Sequence, residues 1–274
     1  EICWSLVGSE MCIRDRMVDG IGEYGGTFRH VIGGRPEGFN WLAGQSQGWG
    51  GINIQLMESL TRLGPLWQIK PDEANPLPNL AKDWEWSSDR KSLTMNLIEG
   101  ARWSDGDIFD TEDIDFWWND NVQDANVASR LPKDALGAGT TLEILGPYSF
   151  KFNFDEPKGN AVLAQLAYMG GAPGPSHVMK PLHPAHNSDA TYESYANGMP
   201  ASVLPIVTLG AYVPVVHKVD ELMVMKRNPY YWKVDEECNQ LPYYNETIYK
   251  LTSWDDRTTP VSYTHLRAHE TPAN

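Results

Sequence analysis

Residues 101–118 read ARWSDGDIFDTEDIDFWW, a run whose polar residues leave the backbone little choice. Asp105-Gly106 favours a tight turn between short extended arms. Asp110 is a strong helix N-cap, and Asp113, three residues on, completes a capping box. Ile114, Trp117 and Trp118 fall at i, i+3 and i+4, on one face of the helix that Asp110 starts. The stretch predicts strand, turn and amphipathic helix in succession. Neighbouring tryptophans among carboxylates also suit a sugar platform, a carboxylate active site or a calcium loop. The calcium reading fails on register: counted from Asp105, Phe109 holds the fifth position and Asp110 stands where an EF-hand requires glycine. Helical spacing favours core packing for the tryptophans, with the acidic residues capping and solvating the helix.

The flanks follow the same logic. NPLPNLAKDWEWSSDRKSLTMNLIEG predicts a hairpin: Trp84 and Trp86 share one face, SSDRK supplies the turn, and Leu93, Met95 and Leu97 share one face of the second arm. TTLEILGPYSFKFNFDEP pairs Leu142 and Ile144 with Tyr148, Phe150, Phe152 and Phe154 across Gly146-Pro147. GNAVLAQLAYMGG predicts a short helix ending at glycines, and AYVPVVHKVDELMVMKRNPYYW a hairpin turning near Lys218–Glu221. Upstream, GGTFRHVIG reads as a strand buried on both faces. GFNWLAGQSQGWGG is a Gly-rich loop. From Ile52, the residues Leu56, Met57, Leu60 and Leu63 have helical spacing, stopped by Gly64-Pro65. No βαβ rhythm, repeat or low-complexity tract appears, so the fold class is mixed α/β with small antiparallel sheets.

Composition closes off other classes. The chain of 274 residues carries a net charge of −14, the wrong sign for a nucleic-acid binder. No run approaches the roughly 18 apolar residues of a membrane span. Both ends, EICWSLVGSEMCIRDR (1–16) and VSYTHLRAHETPAN (261–274), resemble translated sequencing-adaptor DNA and are expected to add nothing to fold or function. Setting them aside removes Cys3 and Cys12 and leaves Cys238 alone, so cysteine does not report the redox compartment.

The ordered blocks PLPNLAKDWEWSSDRKSLTMNLIEGARWSDGDIFDTEDIDFWW and GAYVPVVHKVDELMVMKRNPYYWKVDEECNQLPYYNETIYKL closely resemble the extracytoplasmic solute-binding proteins, family 5, of ABC transporters, the oligopeptide-, dipeptide- and nickel-binding type. WSDG alone would be weak; LAKDWEW, WSDG and RNPYYW in sequence are strong. The resemblance spans residues 23–257. It implies a periplasmic-binding-protein type II-like N-terminal lobe with an extra subdomain, the second lobe largely missing. On that pattern residues 17–65 and 170–250 form the lobe core, 66–169 the extra subdomain carrying the WSDG hairpin, and 251–260 the start of the crossover. It further implies a non-catalytic protein outside the cytoplasmic membrane, any secretion signal lost by truncation, that delivers peptides or similar solutes to an ABC permease by hinge closure. The ligand-facing candidates are Gln45, Ser46 and Gln47, then Asn40 and Trp41, then Arg130. No cofactor or metal is implied at those positions, and a lone lobe is expected to hold solute weakly.

Gly20-x-Gly22-x-x-Gly25 matches a dinucleotide fingerprint in letters only, because it precedes the first strand instead of following one. His177, His183 and His186 fit no common zinc spacing. A hydrolase acting on glycans or peptides is the alternative, but neither G-x-S-x-G nor H-E-x-x-H occurs. A structural or adhesion fragment would show repeats or a long polar linker, and the chain has neither.

Overall fold

A computed structural model describes residues 21–34, 36–43, 52–63, 76–167, 169–235 and 237–252. In chain order the strands are β1 (Thr27–Ile32), β2 (Thr61–Arg62), β3 (Leu77–Pro78), β4 (Ala81–Trp86), β5 (Ser92–Leu97), β6 (Thr141–Gly146), β7 (Ser149–Asn153), β8 (Tyr212–Lys218), β9 (Leu222–Arg227) and β10 (Glu246–Leu251). The helices are α1 (Thr111–Asp115, continued by a π-helical turn over Phe116–Val122), α2 (Ala161–Gln165), α3 (Ser176–Met179) and α4 (Tyr192–Ala196).

One antiparallel sheet has the order β4-β5-β7-β6. Its registers set Trp84 opposite Met95 and Trp86 opposite Leu93, then Leu93 opposite Phe152 and Met95 opposite Phe150. Because partners in register share a face, the alternating apolar residues form one continuous wall. The β4–β5 turn closes with a Ser92 carbonyl accepting from the Ser87 N–H, and Arg90 takes a left-handed φ of 55°. α1 packs its apolar stripe on this sheet. Ile114, Trp117 and Trp118 are buried, and Trp118 meets Phe152 edge to face at 4.9 Å. The tryptophans are core, as their spacing predicts.

The cap is built as the sequence predicts: the Asp110 carboxylate accepts from the Glu112 N–H, and Asp113 accepts from the Asp110 N–H. After one turn the helix widens, with the Gln123 N–H donating to the Trp118 carbonyl five residues back. Phe116, outside the apolar stripe, is buried alongside the tryptophans as well.

The second sheet has the order β1-β10-β9-β8, with β1 parallel to β10 and the rest antiparallel. Two readings of the sequence need correction here. β1 is not buried on both faces: it is an edge strand, and Phe28 is 41% exposed. Residues 52–63 do not form a helix. Apart from a 3₁₀ turn at Asn53–Gln55, the segment is extended and its apolar side chains reach the core from a loop. Its backbone is held from outside: the Leu56 carbonyl accepts from the Gly210 N–H, the Leu60 N–H donates to Gly171, and the Thr61 N–H donates to Leu166. Tertiary partners take these backbone bonds in place of a helical ladder.

Candidate functional site

A groove of about 450 Å³ forms where three segments meet: the loop 36–43 after β1, the loop 124–128 after α1, and α4. The first wall is stitched in place. The Phe39 N–H donates to the Met199 carbonyl (2.7 Å) and the Ala201 N–H to the Glu37 carbonyl (3.2 Å). The Asn40 side-chain oxygen accepts from the Leu42 and Ala43 N–H groups, while its amide nitrogen donates to the Tyr195 carbonyl at 2.6 Å. Trp41 is 1% exposed and donates its indole N–H to the Pro173 carbonyl. Asn40 and Trp41, foreseen as ligand contacts, therefore have their polar atoms engaged in holding the loop to α4 and its neighbours.

Asp124 organises the opposite side. One of its carboxylate oxygens accepts from the Asn126 N–H and side-chain amide (2.8 and 2.9 Å), the other from the Tyr192 hydroxyl at 2.7 Å. Partial burial works against the charge, yet these hydrogen bonds hold Asp124 below the usual carboxylate range. Behind it, Tyr195 donates to the Asn121 side-chain oxygen, and burial pushes its phenol up. His183 is fully buried between Phe116, Tyr192 and Tyr195, the last at 4.5 Å between ring centres. Burial lowers its pKa, opposed by Asp120 and Asp124.

The exposed groove wall comprises Glu37, Asn126, Ala128, Glu193 and Asn197, with Tyr192 half-buried. Sequence reasoning singled out none of these six. The one local signal was Thr191, whose side chain accepts from the Ser194 N–H in a capping box that starts α4. Arg130, a foreseen candidate, stands two residues past the wall, with burial lowering its pKa. Gln45, Ser46 and Gln47 lie outside the described residues.

The three histidines do not share one centre: His183 and His186 are neighbours, 6.1 Å between ring centres, while His177 stands apart. His177 bridges the WSDG turn, reaching Asp105 at 2.8 Å and Asp107 at 3.0 Å, and His186 pairs with Asp120 at 2.9 Å. Among the described residues, no three His, Cys, Asp or Glu side chains are placed to hold a metal ion. A second, smaller hollow borders Glu58, a buried carboxylate that accepts from Tyr231 (2.6 Å), Asn79 (2.9 Å) and Lys233 (2.8 Å). Every one of those bonds ties protein to protein.

Residues 75–261 match the model of the bacterial extracellular solute-binding proteins, family 5, in its middle region. The chain belongs to that family. Among family 5 relatives, a periplasmic alpha-galactoside-binding protein of Rhizobium meliloti (strain 1021) is 51% identical over 88% of this chain and 35% of its own length. The periplasmic binding protein MelB of Agrobacterium fabrum C58, solved in complex with stachyose, superposes with a TM-score of 0.84 at 45% identity, over 93% of this chain and 40% of that one. The periplasmic oligopeptide-binding protein OppA of Salmonella typhimurium is 27% identical over 64% of this chain and 32% of its own. The chain thus spans roughly a third of the length of these curated family 5 proteins. Among the described residues no helix is long and apolar enough to cross a membrane.

Proposed function

We propose that this chain is part of the solute-binding component of an ABC importer, one that captures α-galactosides outside the cytoplasmic membrane and hands them to a permease. No bond of the solute is made or broken. The observation that carries this reading is 51% identity across 88% of the chain to a protein named for α-galactoside binding. It favours a sugar over the peptides suggested by the family resemblance, because the oligopeptide-binding relative is only 27% identical. In this proposal residues 66–169 act as the extra subdomain beside a lobe core of 17–65 and 170–250. Gln45, Ser46, Gln47 and Arg130 remain proposed contacts, and solute is enclosed by hinge closure against further polypeptide.

Titration calorimetry on the full-length gene product tests it. Heat is expected with stachyose and raffinose and not with a tripeptide; heat with the tripeptide alone would overturn the sugar assignment.

A further inference from the structure

We infer that the groove between Glu37, Asn126, Tyr192, Glu193 and Asn197 is a sugar subsite that holds glycosyl hydroxyls by hydrogen-bond acceptors. The inference rests on the α-galactoside reading and adds the place and chemistry of recognition. The volume, about 450 Å³, lies within the ~300–1,000 Å³ of small-molecule sites.

The lining residues carry more acceptors than donors. The Tyr192 hydroxyl and the Asn126 amide are turned onto Asp124, and the Asn197 amide donates to the Glu193 carbonyl. The groove residues thus bring the Asn126 and Asn197 side-chain oxygens and the Glu37 and Glu193 carboxylates as acceptors, against one further N–H on each amide. Among the described residues neither carboxylate has a hydrogen-bonding or ionic partner, and no Lys or Arg lines the groove. A ligand rich in donors matches such a wall, because each ionised carboxylate accepts several hydrogen bonds and offers none. An anion is repelled. A galactosyl ring brings several hydroxyl donors without charge, and adjacent hydroxyls can share one carboxylate.

The aromatic part fits the same occupant. Tyr192 is half-buried, pinned by its hydroxyl to Asp124 and by an edge contact to His183 at 5.8 Å between ring centres. A fixed, partly exposed ring offers a surface to the C–H face of a pyranose at little conformational cost. Asp124 acts as a positioning residue, since it orients both Tyr192 and Asn126 without lining the groove.

The test is calorimetry of stachyose and raffinose against the full-length gene product and four variants. Glu37→Gln and Glu193→Gln keep shape and lose charge, and each is expected to weaken sugar binding by on the order of tenfold or more. Ala128→Trp fills the groove without touching a carboxylate and should abolish binding. Asp124→Asn should weaken it through Tyr192 and Asn126, and the Tyr192 ring resonances should shift in tyrosine-labelled protein. Equal melting temperatures establish that the Gln variants are folded. Wild-type protein that binds stachyose while all four variants bind it equally well overturns the subsite and leaves the galactoside reading intact. Wild-type protein that ignores stachyose overturns the reading on which the subsite rests. Spermidine competing with stachyose in the wild type, and failing to compete in Glu37→Gln, would make the groove a cation site and overturn the sugar assignment here.

Discussion

Asp113 shows how one side chain can be legible in the sequence and still have an unforeseen role. Its spacing from Asp110 announces the capping box, and the box is present. The sequence does not show that the same carboxylate also accepts from the Trp103 indole (2.9 Å) and the Ser176 N–H (2.8 Å), joining the WSDG turn to α3. Those partners lie 10 and 63 residues away, beyond any local pattern. Burial raises its pKa to about 6, with the hydrogen bonds from Ser176, Trp103 and Asp110 opposing. An acid raised from 3.8 to about 6 binds more protons folded than unfolded, so its contribution to stability falls as pH climbs through that window. The loss amounts to about 3 kcal/mol by pH 7. Asp113→Asn should remove this pH dependence between 4 and 6 in urea unfolding. It should also lower stability near pH 4 by ~1–3 kcal/mol, because the amide nitrogen replaces one of the two accepting oxygens and cannot accept from the donors there. A variant whose pH profile parallels the wild type would show that Asp113 is not the group titrating there.

Among the elements, α1 and α4 are joined by a buried polar contact that neither helix reveals alone. The Asn121 side chain donates to the Phe116 carbonyl within the widened turn and accepts from Tyr195 of α4. The π-helical turn and the joint are therefore one feature: the extra residue in the turn brings Asn121 to face Tyr195. Asn121→Ala should cost ~1–3 kcal/mol by stranding the buried hydroxyl, and Tyr195→Phe less. In a double-mutant cycle the pair should couple by about 1 kcal/mol, with additive losses counting against the contact. Hairpins were read correctly because alternation and turn residues are local signals, as with Trp84, Trp86 and the SSDRK turn. The segment 52–63 misled because Leu56, Met57 and Leu60 mimic a helical period while facing different partners in an extended loop. The groove escaped notice for a related reason: Glu37, Asn126 and Tyr192 are scattered in sequence, and only tertiary folding gathers them.

Across the whole molecule, Glu58 connects distant parts of the chain: the 56–62 segment, Asn79 ahead of β4, and Tyr231 and Lys233 of the RNPYYW block. Both it and Lys233 are substantially buried, so Glu58→Ala leaves an ammonium without its counter-charge and should cost ~3–5 kcal/mol in denaturant unfolding. A loss under 1 kcal/mol would mean that water already screens the pair. The parallel pairing of β1 with β10, in register from Thr27 against Glu246 to Ile32 against Leu251, has a mechanical consequence. Tension drawn through handles at Glu23 and Thr252 enters this ladder at opposite ends and loads its hydrogen bonds together, in shear. Handles at Tyr212 and Arg227, which face each other at the open end of the β8–β9 hairpin, load the bonds one at a time. Optical-tweezer pulling should therefore find rupture at distinctly higher force along the first axis than along the second, making the chain stiffest in the direction in which β1 and β10 carry load.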